Sequence, residues 1–175
     1  TYAADGTVLE TTDPRGLVSR TVLDDAGRTI KTIRNYTDGT PGGGTNADQD
    51  QTIEYAYSKG LMTTYTAKMP GGTDQVTTYI YGTTKGTTAG LSAIATGHLL
   101  RATKYPDSSN AGTTAANIDS TDTDVVSLAY NALGQETRRK DQAGNVTETT
   151  YDTAGRPTAR AVTTLASGFD GAVRR

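Results

Sequence analysis

The strongest constraint on the fold of this chain is an internal repeat. One copy starts at Tyr2 and a second starts at Tyr130, and their matched residues have the same spacing. In each copy a glycine follows the first tyrosine by 14 positions (2 to 16, 130 to 144), and a third element follows it by 21 positions (2 to 23, 130 to 151). Equal spacing of matched landmarks predicts a repeat architecture, in which successive units pack on one another. The structural repeat motif comprises Tyr2, Gly6, Gly16, Asp24, Gly27 and Arg28 in the first copy, and Tyr130, Gly134, Gly144, Tyr151, Asp152, Gly155 and Arg156 in the second.

The physical content of the repeat is a β-hairpin. Its glycines recur every 10 or 11 residues, and glycine adopts the positive φ that tight turns between antiparallel strands require. Between the glycines lie Thr, Val, Tyr and Ile, which have high strand propensity, and residues 53–57 and 126–130 alternate with period two. We therefore predict an all-β fold, an antiparallel meander of hairpin repeats with roughly eleven strands, forming part of a spiralling β-shell or ribbon. The one helical element that we expect is a single turn near Gly90 to Thr96.

The composition predicts an unusual interior for this sheet. Leu, Ile, Val and Phe together make up 26 of 175 residues, about 15%, which is below the roughly 20% at which disorder becomes a serious alternative. The net charge of -2 argues against disorder, because a chain so close to neutral is not held open by self-repulsion. With 35 Thr and ten Tyr, we expect Thr, Ala and Tyr to fill much of the space that Leu and Phe usually fill.

Three stretches interrupt the register of the repeat. They are rich in small and polar residues and are interpreted as inserted loops near 38–50, 83–96 and 107–124 on a single run of repeats over residues 1–175. We expect the loop at 107–124 to be ordered by contacts with its neighbours. The chain starts at Thr1 without a leader, so we expect a signal peptide to be absent or removed and the chain to be a segment of a longer protein.

The motif resembles a known family. Residues 151–156, Tyr-Asp-Thr-Ala-Gly-Arg, are similar to the Y-D-x-x-G-R signature of RHS or YD repeats, and residues 23–28 and 130–135 are similar in part. Residues 13–18 and 141–146 resemble the D-P-x-G-x-V half-repeat of that family. The resemblance covers residues 1–36 and 125–160. It implies a ribbon of antiparallel strands that spirals into a hollow shell in large secreted or cell-surface proteins, including toxin-enclosing and adhesion proteins, with repeats that are architectural and carry no active site.

Composition excludes several functional classes. The chain has no Cys, which excludes a disulfide framework, a thiol nucleophile and a zinc-thiolate site. A sequence pI near 5.3 gives no basic footprint for nucleic acid. No apolar run approaches the roughly 18 residues of a membrane span.

The residues that could carry catalysis or bind a metal are better interpreted as structural or solvated residues. His98 is the only histidine and has no Ser or carboxylate at triad spacing, so we interpret it as a strand-entry residue. The run from Asp119 to Asp124 offers carboxylates of the kind that calcium binds, but it lacks the glycine and the terminal glutamate of an EF-hand, and a solvated loop is favoured. We therefore predict no catalytic residue, no metal site and no cofactor.

Three functional classes remain. The favoured class is a structural segment that builds an enclosing shell or an extracellular β-rich fibre, whose partners are copies of itself or neighbouring repeats of a longer parent chain. The alternative is an adhesion module that binds glycans or a protein partner through the inserted loops, since loops on a rigid frame commonly carry binding. An enzyme is disfavoured, because no carboxylate pair stands out.

The tyrosines and the sheet edges bear on the same choice. Recurrence of Tyr2, Tyr130 and Tyr151 at one phase of the repeat favours packing against the next strand pair over sugar stacking, since a binding site would cluster its aromatic residues. The sheet edges are predicted at Gly6 to Thr12 and at Pro157 to Leu165, and both have little protection against pairing with a further strand. A second copy, or the next repeat, is expected to continue the ribbon there.

Overall fold

The computed structural model describes residues 1–40, 48–87, 90–106 and 124–168. These residues form eleven β-strands and no helix, and every pairing with a defined register is antiparallel and joins strands that are consecutive in the chain. The predicted all-β antiparallel meander is therefore confirmed. Within the described ranges there is accordingly no helix long and apolar enough to cross a membrane.

The chain divides into two compact units, Thr1–Thr78 and Tyr79–Arg175. The first contains β1 (Glu10–Thr12), β2 (Val18–Leu23), β3 (Thr29–Arg34), β4 (Gln51–Ser58), β5 (Leu61–Ala67) and the beginning of β6 (Gln75–Thr83). The second contains the end of β6, then β7 (Thr96–Lys104), β8 (Val125–Tyr130), β9 (Glu136–Lys140), β10 (Val146–Tyr151) and β11 (Pro157–Thr164).

The core of the second unit is centred on β8, all six residues of which are buried. Side chains of a strand alternate between its two faces, so a strand buried throughout must be covered on both. On one face of β8, three of its residues pack with three apolar residues from the range 94–100. On the other face, Val125 packs with Ala102 and Ile80. The first group comprises Val126, Leu128 and Tyr130 with Ile94, Leu99 and Leu100.

The first unit has a smaller and more polar interior. Among the described residues of this unit, Ile33 is the one buried large apolar side chain. Thr52 on β4 and Asp50, the residue just before β4, are also buried. The Thr52 hydroxyl donates to the Asp50 carbonyl oxygen at 2.8 Å, so this buried threonine is satisfied locally. The expectation that threonine fills interior space agrees with this burial.

The predicted helical turn at Gly90 to Thr96 is wrong. The backbone of this segment bonds to other segments: Gly86 donates its N–H to the Ser92 carbonyl oxygen at 3.0 Å, and Ala93 donates to the Tyr130 carbonyl oxygen at 2.7 Å. Ser92 also forms a parallel bridge with Lys85. These bonds to other segments use the groups that a helical turn would pair internally.

Two of the predicted inserted loops fall largely outside the described residues. These are residues 41–47 of the loop at 38–50, and residues 107–123 of the loop at 107–124, which include most of the Asp119 to Asp124 run. The loop at 83–96 is described except for residues 88–89 and lies between the end of β6 and the start of β7. The predicted domain organisation stays a prediction.

The N-terminal edge differs from the open edge predicted at Gly6 to Thr12. The Thr1 amino group donates to the Glu10 carbonyl oxygen at 2.9 Å, and Leu9 donates its N–H to the Thr1 carbonyl oxygen at 2.9 Å. Tyr2 forms an antiparallel bridge with Val8. The first two residues therefore cover part of this edge.

Candidate functional site

The repeat motif folds into one specific turn, seen in full at residues 152–156. Asp152 and Arg156 close it, because the Asp152 N–H donates to the Arg156 carbonyl oxygen and the Gly155 N–H donates to the Asp152 carbonyl oxygen, both at 2.9 Å. The Asp152 carboxylate accepts the N–H groups of Ala154 and Arg156 on Oδ1, at 2.9 and 2.8 Å. Its Oδ2 accepts from Arg156 Nε at 2.7 Å. Every polar atom of this aspartate therefore serves the turn.

The turn at residues 24–28 repeats this arrangement bond for bond. Asp24 Oδ1 accepts the N–H groups of Ala26 and Arg28 at 2.9 Å, and Oδ2 accepts from Arg28 Nε at 2.8 Å. The backbone bonds of Asp24 with Arg28 and Gly27 have the same directions and are both 2.9 Å long. The same residue pattern, Asp-x-Ala-Gly-Arg, therefore forms the same turn in both units.

The half-repeats at residues 13–17 and 141–145 form the same turn, but neither has an arginine at the fifth position. Asp13 Oδ1 accepts the N–H groups of Arg15 and Leu17, and Asp141 Oδ1 accepts the N–H of Asn145. The Asp141 Oδ2 accepts from the Asn145 side-chain amide at 2.9 Å, in place of an arginine. These four turns share a carboxylate at the first position and a glycine at the fourth. In the turn at 131–135 the Asn131 side-chain oxygen takes the place of the carboxylate and accepts the N–H groups of Leu133 and Gln135 at 2.9 and 3.0 Å.

These carboxylates have pKa values below the usual range for aspartate. The largest cause in each turn is a hydrogen bond from the residue four positions later, because such a bond stabilises the ionised form. The residues concerned are Asp13, Asp24, Asp141 and Asp152, bonded respectively to Leu17, Arg28, Asn145 and Arg156.

The predicted repeat glycines all occupy the fourth position of a turn and all have positive φ. Gly27 has φ 75°, and a Cβ built on it would meet no atom within 4 Å, so backbone conformation alone favours glycine there. The register slips by one residue beside several of these turns, between Val22 and Leu23 and between Thr150 and Tyr151, as expected for a type I turn followed by a left-handed glycine. The other φ values are 87° for Gly6, 83° for Gly16, 79° for Gly134, 93° for Gly144 and 79° for Gly155.

Three tyrosines at strand ends donate their hydroxyls to a backbone carbonyl of the preceding strand. Continuing the observed registers, each acceptor lies opposite the residue that precedes the tyrosine. The repeated contact fixes the end of each strand against its neighbour. The bonds join Tyr57 to Thr29 at 2.9 Å, Tyr130 to Leu100 at 2.7 Å and Tyr151 to Glu136 at 2.8 Å.

The motif tyrosines are therefore not equivalent. Tyr130 is buried, and burial raises the pKa of its hydroxyl. Tyr2 is 73% exposed and does not take part in such packing, contrary to the phase argument, because only a short bridge to Val8 lies beside it. Tyr57 makes the contact without belonging to the motif. The sequence signal for it was Gly60, three residues later, which marks a turn with positive φ at Lys59 and Gly60.

Asp50 is a structural residue that the sequence analysis missed. Its side chain is fully buried and accepts the N–H groups of Thr37 and Gly39 at 2.8 and 3.0 Å, and the Thr37 hydroxyl. Burial alone would raise the pKa of Asp50, but these bonds outweigh it and the pKa is lowered. The carboxylate therefore fastens both ends of the loop at 38–50, a role that only the folded chain reveals.

The remaining candidates lie apart from one another. His98 is exposed on β7, where its N–H donates to the Thr96 hydroxyl at 3.3 Å. No group of three histidine, aspartate or glutamate side chains in the described ranges is placed to hold a metal ion. The chemistry that the described residues do bring together is the repeated Asp-x-x-Gly turn.

Comparison with known proteins gives one family match. Residues 130–168 match the family model described as RHS Repeat. The match starts at the Tyr130 turn and includes the turns at 141–145 and 152–156. The resemblance to RHS/YD repeats is thereby confirmed. No curated protein matches the sequence.

Two solved structures are similar to this chain. A crystal structure titled TcdB2-TccC3-TEV has a TM-score of 0.39 and 14% sequence identity, over 89% of this chain and 8% of that chain. A second, titled TcdB2-TccC3-Cdc42, has a TM-score of 0.39 and 15% identity, over 93% of this chain and 9% of that chain. The chain spans less than a tenth of each of these relatives.

Proposed function

We propose that this chain is a structural repeat segment of a secreted or cell-surface protein of the RHS/YD type, because residues 130–168 match the model of the RHS repeat family. It builds part of an enclosing shell or of an extracellular β-rich fibre and has no catalytic activity of its own. The observation that carries this proposal is the repeated turn, in which an aspartate uses both carboxylate oxygens to hold backbone and side-chain donors of its own turn.

The repeated turn supports an architectural role for chemical reasons. A general acid or base must be within reach of a substrate and have a pKa near the working pH. The turn aspartates meet neither condition, since their oxygens are occupied and their pKa values are lowered. Their positions instead set where each hairpin reverses, so that strands of similar length can be added one after another.

Strand β11 is the surface through which the segment would meet its neighbour. All eight residues of Pro157–Thr164 are exposed, and among the described strands β11 pairs with β10 alone. Its unpaired backbone groups are a template for a further strand, protected only by Pro157 and the charge of Arg160. In a longer parent chain the next repeat would pair here; for separate subunits, a second copy would.

Sedimentation of the purified 175-residue chain at micromolar concentration tests this function. We expect concentration-dependent self-association, and we expect Val162→Lys to weaken it, because Val162 is a 56% exposed β11 residue and lysine protects edges. Leu133→Lys is the matched control: Leu133 is 74% exposed but lies in a turn, so its replacement should leave association unchanged. A folded chain that stays monomeric at every concentration would contradict the proposed role.

The second candidate function is an adhesion module that binds glycans or a protein partner through an inserted loop. It is favoured by the way Asp50 fastens the loop at 38–50, because a loop held at both ends can present side chains in fixed positions. Screening the chain against a panel of polysaccharides tests the glycan-binding form of this function, and the absence of affinity for all of them would overturn it.

A further inference from the structure

We propose that the start of β11 is a docking site for a β-strand that ends in tyrosine, and that Arg156 and Pro157 select this tyrosine. The inference rests on the structural role proposed above, which puts a neighbouring strand at β11 but leaves the residues of that strand open. It names the partner as a strand from a hairpin of the same repeat type, with its tyrosine opposite Arg156. A strand that adds to a sheet edge gains affinity from main-chain hydrogen bonds and specificity from side-chain contacts.

The turn at residues 24–28 shows the equivalent site with a strand in place. Arg28 is the fifth residue of this turn, and it lies opposite Tyr57 when the register of β3 and β4 is continued to their ends. The guanidinium carbon of Arg28 is 4.7 Å from the centroid of the Tyr57 ring, which is a cation–π contact. The Tyr57 hydroxyl donates to the Thr29 carbonyl oxygen at 2.9 Å. One tyrosine therefore contacts both the last residue of the turn and the residue after it.

The hydroxyl contact recurs at the turn at residues 131–135. Tyr151, at the end of β10, donates to the carbonyl oxygen of Glu136 at 2.8 Å. Glu136 is the first residue after its turn, as Thr29 is after the other turn. The fifth residue here is Gln135, which carries no charge and so cannot make a cation–π contact. The carbonyl oxygen after the turn therefore suffices to hold the tyrosine hydroxyl, and an arginine at the fifth position adds the contact with the ring.

The turn at residues 152–156 has both of these groups at the exposed edge of the sheet. Asp152 holds the Arg156 guanidinium through Nε at 2.7 Å, and the corresponding bond of Arg28 is 2.8 Å long. Pro157 follows as the first residue of β11, so its carbonyl oxygen is the counterpart of the acceptor in the other two turns. Proline lacks an N–H but keeps its carbonyl, which is the group that a tyrosine hydroxyl needs.

The exposure of the two arginines differs as one covered and one uncovered guanidinium should. The Arg28 side chain is 38% exposed and the Arg156 side chain is 79% exposed, although both pair with the aspartate of their own turn. The side chains of those aspartates are covered alike, with 21% of Asp24 and 25% of Asp152 exposed. Within the described ranges, no aromatic ring lies against Arg156. The ring of Tyr57 over Arg28 accounts for the difference.

The rest of β11 permits the strand that would carry this tyrosine. All eight residues of β11 are exposed, and among the described strands it pairs with β10 alone. A tyrosine placed opposite Arg156 fixes the register of the incoming strand along the whole of β11. In that register Ala159 and Ala161 lie opposite residues of the incoming strand, and their small side chains leave room for larger ones. The tyrosine therefore sets the register as well as the contact.

Fluorescence anisotropy of a labelled peptide added to the full chain tests the site. The peptide has the sequence of residues 50–60, which contain β4 and Tyr57. We expect it to bind, and we expect the peptide with Tyr57→Phe to bind about three- to tenfold more weakly, as for loss of one hydrogen bond. The peptide with Tyr55→Phe is the matched control, because the Tyr55 ring packs against Tyr65 of β5, and its affinity should be unchanged.

A variant of the chain tests the contact with the ring. Arg156→Gln removes the charge but places at the fifth position the residue that Gln135 supplies in its own turn. We expect this variant to bind the unmodified peptide about two- to fivefold more weakly, as for loss of one exposed cation–π contact. Arg15→Gln is the control and should leave the affinity unchanged, because Arg15 is also 79% exposed and paired with a turn aspartate, but lies in the first unit.

The outcomes separate this site from the proposed structural role. Equal affinity of the three peptides for the wild-type chain would overturn the selection of tyrosine, even if the chain self-associates in sedimentation. If no peptide binds, the docking site is wrong, and sedimentation of the chain alone decides the structural role. Val162→Lys locates the contact: it should abolish peptide binding, and an unchanged affinity in this variant would put the peptide elsewhere than β11 and overturn the proposal.

Discussion

Gln135 donates its side-chain amide Nε2 to the main-chain carbonyl oxygen of Gly155, at 2.7 Å, and so ties one repeat turn to the next across twenty residues. The link depends on a departure from the aspartate and arginine motif. Asn131 and Gln135 replace that pair, and Asn131 donates its amide to Gln135 Oε1 at 2.8 Å. This neutral pair leaves the Gln135 Nε2 free for the neighbouring turn, whereas Arg156 directs its guanidinium to Asp152.

Replacing Gln135 by alanine tests this link between turns. We expect Gln135→Ala to lower the free energy of unfolding by about 1 to 3 kcal/mol, because it removes two hydrogen bonds, the one to Gly155 and the one from Asn131. Urea denaturation followed by circular dichroism measures the change. Gln142→Ala is the control, since Gln142 is an exposed glutamine at the second position of the turn at 141–145, and this variant should unfold as wild type does. Equal losses in the two variants would remove any special role for the contact with Gly155.

Gly27 offers a clean test of the turn conformation. Because a Cβ at this position meets no neighbouring atom, only the positive φ opposes substitution. We expect Gly27→Val to destabilise the chain by about 1 to 2 kcal/mol, and Gly27→Asn to cost much less, since asparagine tolerates the left-handed region. Thermal unfolding of both variants provides the measurement, and similar midpoints for valine and asparagine would show that φ is not the constraint.

The turns and the strands between them were predictable from the sequence, because each turn is determined by its own five residues. The left-handed conformation of Gly27 and Gly155 follows from the turn that residues 24–28 and 152–156 each form alone, so glycine spacing predicted the strands between turns. The helical turn at Gly90 to Thr96 was predicted wrongly, because the Ser92 carbonyl oxygen accepts from Gly86 and the Ala93 N–H donates to Tyr130, and composition reveals neither pairing.

Contacts between distant residues could not be predicted. Asp50 resembles any loop aspartate in the sequence, and its burial depends on the four donors from residues 37–39, three N–H groups and the Thr37 hydroxyl, that the fold brings to it. The same holds for the Tyr57 hydroxyl, whose acceptor is 28 residues away. Tyr2 matched the repeat phase but lacks the packed neighbours of Tyr130, because phase alone does not supply a preceding strand.

Two buried serines in the second unit should respond oppositely to removal of their hydroxyls. Ser92 Oγ accepts the Tyr130 N–H at 3.1 Å, whereas Ser127 Oγ is buried without a hydrogen-bond partner in the described ranges. We expect Ser92→Ala to cost about 1 to 3 kcal/mol, because it leaves a buried N–H unpaired, and Ser127→Ala to be neutral or stabilising. Chemical denaturation of both variants decides the matter; a large loss for Ser127→Ala would contradict the assignment of an unpartnered hydroxyl.

The turn aspartates predict a loss of stability in acid. Since hydrogen bonds lower the pKa of Asp24 in the folded chain below its usual 3.8, its stabilising contribution is present above pH 3.8 and disappears as the pH falls through the folded pKa. We expect the urea midpoint to be level from pH 7 to pH 5 and to fall below about pH 4. Asp24→Asn should be less stable than wild type at pH 7, because the pair with Arg28 is lost, and the difference should narrow in acid. Asp25→Asn, an exposed neighbour in the same turn, serves as the control and should follow wild type throughout. A gap between wild type and Asp24→Asn that stays constant down to pH 3 would show that ionisation of this carboxylate does not stabilise the turn.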